Sequence, residues 1–132
     1  MEMYVDNNRK ITIERGQLWT IDKSFKESIN QFRKDNGDTW DYHNDVLIIQ
    51  NTDTINPSSV LVLPTSLSSN STYDVPIPLK GFCSLLRGNA YAKTRNMFSI
   101  EPRHLTKCLC KYSDEKMKEI DEMLIKLLIS DK

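Results

Sequence analysis

The sequence predicts a mainly β, antiparallel domain closed by a C-terminal α-helix. Three observations carry this. Two short, branched apolar runs, Val46–Ile49 and Val60–Leu63, are bounded by turn-forming residues, as paired buried strands are. Val75, Ile77 and Leu79 alternate with other residues at the period of a strand. Met117, Ile120, Leu124, Leu127 and Leu128 then recur at helical spacing.

In chain order, residues 1–10 read as a flexible N-terminal tail, with Ile11 and Ile13 at the start of a possible strand. Gln17–Ile21 alternates and follows a turn at Arg15-Gly16, which suits a first strand. Lys23–Lys34 places Phe25, Ile29 and Phe32 at helical spacing, so a short amphipathic helix is expected, with Ser24 as its N-cap. Residues 35–44 form a polar loop carrying Trp40, Tyr42 and His43. The strand at 60–63 stops on Pro64-Thr65-Ser66, and 67–72 is a Ser/Asn-rich loop. Pro76 and Pro78 supply no backbone N–H, which makes 75–79 an edge strand or an extended arm. Ala90–Arg95 and Met97–Ile100 form one bent strand or two. Pro102 starts a single helical turn, and Thr106–Tyr112 is the last strand. Ser113 caps the closing helix, Asp114–Ser130, with Asp114 and Glu115 where the helix dipole favours anions.

A chain of 132 residues with 39% hydrophobic content is expected to form one domain over residues 1–132. No apolar run approaches a membrane span, and the opening MEMYVDNNRK is too polar for a signal peptide, so the expected location is cytoplasmic, with no membrane partner. The three cysteines, Cys83, Cys108 and Cys110, lack CxxC spacing. Cys108 and Cys110 are expected on one face of a strand as two packed, reduced thiols. With His43 and His104 the only histidines, neither a metal site nor a cofactor is expected.

Net charge is zero, but its distribution is uneven. Residues 80–111 carry a net +6, against −4 for residues 1–79 and −2 for 112–132. A basic segment on a neutral protein fits either a local polyanion site or a solvated face balanced by the acidic remainder.

Four segments, taken in order, resemble the MazF/PemK family of toxin endoribonucleases, a branch of the CcdB/PemK superfamily. Arg15-Gly16-Gln17-Leu18-Trp19 resembles the family's opening G-x-[VI]-[WY] strand. Asp45-Val46-Leu47-Ile48-Ile49-Gln50-Asn51 resembles R-P-V-L-V-[IV]-[QS]-N, and Val60-Leu61-Val62-Leu63-Pro64-Thr65-Ser66 resembles V-[IV]-V-x-P-[IL]-T-S with one residue of slippage. Ser99-Ile100-Glu101-Pro102-Arg103-His104-Leu105 resembles T-I-D-x-x-R-L. The likeness covers residues 14–128. Two positions depart from the pattern: the family's Arg-Pro before the second strand is Asn44-Asp45 here, and its Gln-x-Arg before T-I-D is Asn96-Met97-Phe98. The expected helix at 23–34 also stands where the family has a short Gly-rich loop.

The resemblance implies a small SH3-like antiparallel β-barrel with a C-terminal helix, a homodimer, and metal-independent, sequence-selective cleavage of single-stranded mRNA. It also implies restraint by a cognate antitoxin and DNA binding by the toxin–antitoxin complex. Such chemistry needs a base to activate a 2′-hydroxyl, an acid for the leaving 5′-oxygen, and donors or cations for the charge on phosphorus. The catalytic candidates are Thr65, which matches the family's strand-end threonine, Arg95, and His43, whose titration range suits acid–base work. Candidate RNA contacts are Ser66, Asn44, Lys93, Arg87 and Tyr42, the last as a stacking surface. Each has a plainer reading: Thr65 as a hydroxyl satisfying local backbone, Lys93 and Arg95 as outward residues of a half-buried strand, His43 as ordinary surface. Two rival functions keep the fold: a non-catalytic RNA- or protein-binding module, and a CcdB-like gyrase inhibitor.

Overall fold

The apolar runs at 46–49 and 60–63 become neighbouring strands at the centre of an antiparallel sheet, as their composition requires. The computed structural model describes residues 2–6, 9–35, 45–51, 58–69, 71–78 and 89–129. In chain order the strands are β1 (Glu2–Asp6), β2 (Arg9–Thr12), β3 (Gln17–Ile21), β4 (Asp45–Ile48), β5 (Val60–Ser66), β6 (Asp74–Pro78), β7 (Asn89–Lys93), β8 (Phe98–Ile100) and β9 (Leu105–Lys111). Helix α1 (Lys23–Asp35) follows β3, and α2 (Asp114–Ile129) follows β9. Among the described residues seven strands share one sheet in the order β6-β7-β5-β4-β3-β9, with β8 also paired to β5. Strands β6 and β9 end that order, so the SH3-like architecture is an open barrel. The segment expected as a flexible tail instead pairs its backbone as the β1–β2 hairpin.

Both faces of the central strands are covered, which explains why β4 reads as an unbroken apolar run rather than an alternation. On one face Leu18, Leu47, Leu63, Val75, Ile77 and Ala92 pack under Met117 and Ile120 of α2. On the other, Ile13, Trp19, Val46, Ile48, Val62 and Ile100 form a second cluster, with Phe25 of α1 against it. Trp19 is fully buried, and its indole N–H donates to Gln17 Oε1 at 2.8 Å. Strand β6, with its two prolines, is an edge strand paired to β7. Ser113 caps α2 by accepting from the Lys116 amide at 3.2 Å.

Three local expectations are corrected. Asp22, not Ser24, caps α1: its Oδ1 accepts from the Phe25 amide at 2.7 Å, while the Ser24 hydroxyl merely donates to the same carboxylate at 3.2 Å. Strand β5 does not stop before Pro64 but runs through Thr65 and Ser66, which pair with Ala92 and Tyr91. Finally, Cys108 and Cys110 do not share a face. A bulge sets Trp19 opposite Cys108 and Leu18 opposite Cys110, so Cys108 packs with the Trp19 cluster and Cys110 with the α2 cluster.

Gly16 joins three parts of the sheet. Its N–H donates to the Ile48 carbonyl at 2.8 Å and its carbonyl accepts from the Tyr112 amide at 2.9 Å. Its φ is +94°, in the region that favours glycine. A Cβ there would meet Met117 and the Tyr112 carbonyl at 3.5 Å, ordinary contact, so the cost of a side chain is conformational rather than steric. Gly16→Ala is expected to lower the unfolding free energy by about 1–2 kcal/mol. An unchanged urea midpoint would show that the turn relaxes without cost.

Candidate functional site

The strand register brings two of the sequence-derived candidates, Thr65 and Ser66, to one end of the sheet. Thr20 of β3 lies opposite Asp45 of β4, and Val46 opposite Pro64, which brings the start of β4 beside Thr65. Thr65 and Ser66 in turn lie opposite Ala92 and Tyr91. Hydroxyls of the last two β5 residues therefore sit between the entrance of β4 and the body of β7.

Their surroundings are closed. Thr65 is 1% exposed, and its hydroxyl donates to the Asp45 carbonyl at 2.9 Å. The oxygen keeps its lone pairs, while the single proton is committed to backbone. Ser66 is also buried, and its hydroxyl accepts from the Ser68 amide at 3.2 Å. A bond to each side chain fixes the strand end in one arrangement before any ligand arrives.

Lys93 departs from the expected outward position. It is fully buried, with Nζ 2.7 Å from Asp74 Oδ2, and the two side chains are each 2% exposed. It closes β7 where an alternating strand through Arg95 was expected; Thr94–Asn96 is instead a tight helical turn that lets the chain switch from β7 to β8 along the edge of β5. Arg95 stands exposed on that turn and makes no ion pair among the described residues. Tyr42, His43 and Asn44, the residues that precede β4, and Arg87 lie outside the described residues.

The basic segment is thus partly neutralised within the fold. Lys93 pairs with Asp74, Arg103 with Glu101, and Lys111 with Glu14. A cleft of about 470 Å³ opens at the opposite end of β3, lined by Glu14, Arg15, Lys111, Asp114, Lys118 and Asp121. Its Arg15–Asp121 and Lys111–Glu14 pairs balance its charge, and the strand-end hydroxyls do not line it.

Sequence reasoning overlooked a cluster at the root of α1. His104 Nδ1 lies 2.8 Å from Asp22 Oδ2, and the imidazole stacks on Phe25 with ring centroids 4.3 Å apart. Asp22 also donates its backbone N–H to the His104 carbonyl at 3.0 Å. The available signal was an aspartate one residue before the helical pattern, where an N-cap is expected. The His104 hydrogen bond first, and the Phe25 amide second, hold the Asp22 carboxyl below its ordinary value of 3.8. A carboxyl lowered in the folded state stabilises the protein above its unfolded value, and that contribution fades as pH falls through the folded value. Wild type is therefore expected to exceed Asp22→Asn in urea midpoint at pH above 3.8, with the gap closing at lower pH. A gap that persists undiminished in acid would place the effect elsewhere. Burial, meanwhile, pushes the Cys108 thiol up, away from reactive thiolate.

An antiparallel open barrel capped by one helix, with hydroxyls fixed at a central strand end, defines a small SH3-like class of protein. A family model, the PemK-like, MazF-like toxin of type II toxin–antitoxin systems, matches residues 14–128. The chain belongs to that family. No curated protein matches it significantly in sequence. Among solved structures it is similar to an endoribonuclease from Mycobacterial species, at 16% identity and a TM-score of 0.62, covering 89% of this chain and 92% of that one. It is also similar to a Mycobacterial endoribonuclease in complex with its cognate antitoxin, at 17% identity and a TM-score of 0.59, covering 89% and 95%. A MazE–MazF structure from Deinococcus radiodurans has 12% identity and a TM-score of 0.59, covering 89% and 96%. At these identities the structural likeness speaks for the fold, and the family match for the class.

Proposed function

We propose that this toxin-family protein is an endoribonuclease that cuts single-stranded mRNA in the cytoplasm and is restrained by a cognate antitoxin. One observation carries the reading: the Thr65–Ser66 pair, on the segment resembling the family's V-x-P-[IL]-T-S strand, is held at the end of β5 by the Asp45 carbonyl and the Ser68 amide. In the reaction the 2′-oxygen of one nucleotide attacks the adjacent phosphorus. The new O2′–P bond forms, the P–O5′ bond breaks, and the departing 5′-oxygen takes up a proton. Thr65 is assigned to meet a phosphate oxygen, turning its proton from the Asp45 carbonyl to do so, and Arg95, exposed on the turn after β7 with no ion pair among the described residues, is the assigned cation. His43 is assigned the proton transfer, and Tyr42, Asn44 and Arg87 the contacts to bases and flanking phosphates. With Asn44 in place of the family's arginine, Arg95 takes over charge stabilisation, the role that such cations fill in phosphate chemistry.

The same reading makes the protein a homodimer. The far half of α2 leaves Ile125, Leu128 and Ile129 exposed, at 54%, 64% and 74%. A run of that kind on one helix is an interaction surface.

The deciding experiment is incubation with a long single-stranded RNA in EDTA, with the cut ends mapped. Cuts bearing 2′,3′-cyclic phosphate and 5′-hydroxyl ends are the expected result. Intact RNA that is nonetheless retarded in a gel would favour the non-catalytic module, and gyrase poisoning the third reading.

A further inference from the structure

The buried Lys93–Asp74 pair stands beside the strand-end hydroxyls, and the loop between them is fastened to it. Asp74 Oδ2, which takes the Lys93 ammonium at 2.7 Å, also accepts from the Ser69 hydroxyl and the Ser71 amide, each at 3.1 Å. The other end of Lys93's reach is the Ser68 carbonyl, at 3.4 Å. Ser68 in turn donates its amide to the Ser66 hydroxyl. A path of hydrogen bonds therefore runs from the ion pair through Ser68 to Ser66. The next residue on the other side, Thr94, secures the loop's exit by donating its hydroxyl to the Tyr73 carbonyl at 2.7 Å.

A buried ion pair is a poor choice if stability alone is wanted, because a packed apolar pair of the same volume does as well or better. What charge adds is direction. A carboxylate bonded to an ammonium, a hydroxyl and an amide permits one arrangement of the loop, where apolar packing would permit several. Thr65 and Ser66 lie opposite Ala92 and Tyr91, the two residues that precede Lys93, so the pair is fixed to the same strand that braces the hydroxyls.

We propose that Lys93 and Asp74 are positioning residues: they hold the segments 67–69 and 71–73 against β7 and, through Ser68, set the Ser66 hydroxyl and the end of β5. Lys93 then serves RNA cleavage without touching phosphate. This rests on the ribonuclease reading for its effect on rate, but the loop's attachment is testable without it.

The test compares the full chain with a Lys93→Met/Asp74→Asn double variant, which removes both charges together and so leaves neither one stranded. Amide hydrogen exchange across residues 66–73 is expected to speed up by about tenfold, the loosening expected from losing roughly one hydrogen bond, while β3 and β4 keep their protection. The log–log salt slope of binding to single-stranded RNA should stay unchanged. Single-turnover cleavage should slow by about tenfold to a hundredfold with KM unaltered, the signature of misplaced groups rather than lost binding. Unaltered exchange at 66–73 in the folded double variant overturns the proposal. So does a salt slope reduced by about 0.7, which would make Lys93 a direct phosphate contact. Should the double variant fail to fold, Ser69→Ala decides, because it cuts a loop tether from an exposed position: faster exchange at 66–73 supports the proposal and unchanged exchange overturns it. If wild type cuts no RNA, the ribonuclease reading fails while the exchange measurement still decides this one.

Discussion

Thr65→Ala is expected to slow RNA cleavage by on the order of 100-fold or more, the usual cost of a donor lost from a site of developing charge, with the Thr65 proton turning from the Asp45 carbonyl to the phosphate in the reaction. Binding should change little, since one hydroxyl contributes little to an interface dominated by phosphate charge. The structure adds a second effect. The Thr65 hydroxyl donates to the buried Asp45 carbonyl, so alanine removes that bond and should also lower stability by about 0.5–1.5 kcal/mol. Thr65→Ser separates the two effects, because it keeps the donor and gives up only a methyl group. It should retain most of both activity and stability. An alanine variant that cuts RNA at the wild-type rate would make Thr65 a structural hydroxyl, and Arg95→Ala and His43→Ala would then become the variants that matter.

The largest expected loss of stability is at Asp74. Removing one partner of a buried ion pair typically costs about 3–5 kcal/mol, because the remaining charge stays in a low-dielectric setting without its counterpart. Asp74→Ala takes the carboxylate from Lys93 and, with it, the acceptor used by Ser69 and Ser71. A urea titration should show the loss directly. Adding Lys93→Met to Asp74→Ala should return a large part of it. A single variant that loses under 1 kcal/mol would mean that the surrounding loop opens and lets water reach the ammonium.

Much of the architecture was legible because it follows from local rules. Strands β4 and β5 announced themselves through branched apolar runs, α2 through its stripe and its Ser113 cap, and β6 through prolines that only an edge tolerates. What escaped depends on contacts distant in sequence. Lys93 looked like a surface lysine because its partner lies 19 residues away and no periodicity records that. The bulge between Cys108 and Cys110 left no mark in composition, since a strand with one extra residue reads like any other. Pro64-Thr65-Ser66 has the chemistry of a turn, and pairing with β4 and β7 keeps it extended. At the root of α1, Asp22 and Ser24 are both capable caps, and His104, distant in the chain, supports the first. At the candidate site, the place of Thr65 and Ser66 at the end of β5 could be read from sequence; the closed surroundings of both hydroxyls could not.

The bulge in β9 also bears on how the cysteines would change over time. With Cys108 turned toward Trp19 and Cys110 toward the underside of α2, the two neighbours answer to separate sets of packing partners. Substitutions at positions without shared partners tend to add in their energetic effects. Each cysteine is thus free to drift to another small side chain on its own schedule, and a reagent that clasps two thiols at once, such as a trivalent arsenical, meets a pair facing away from each other across the sheet.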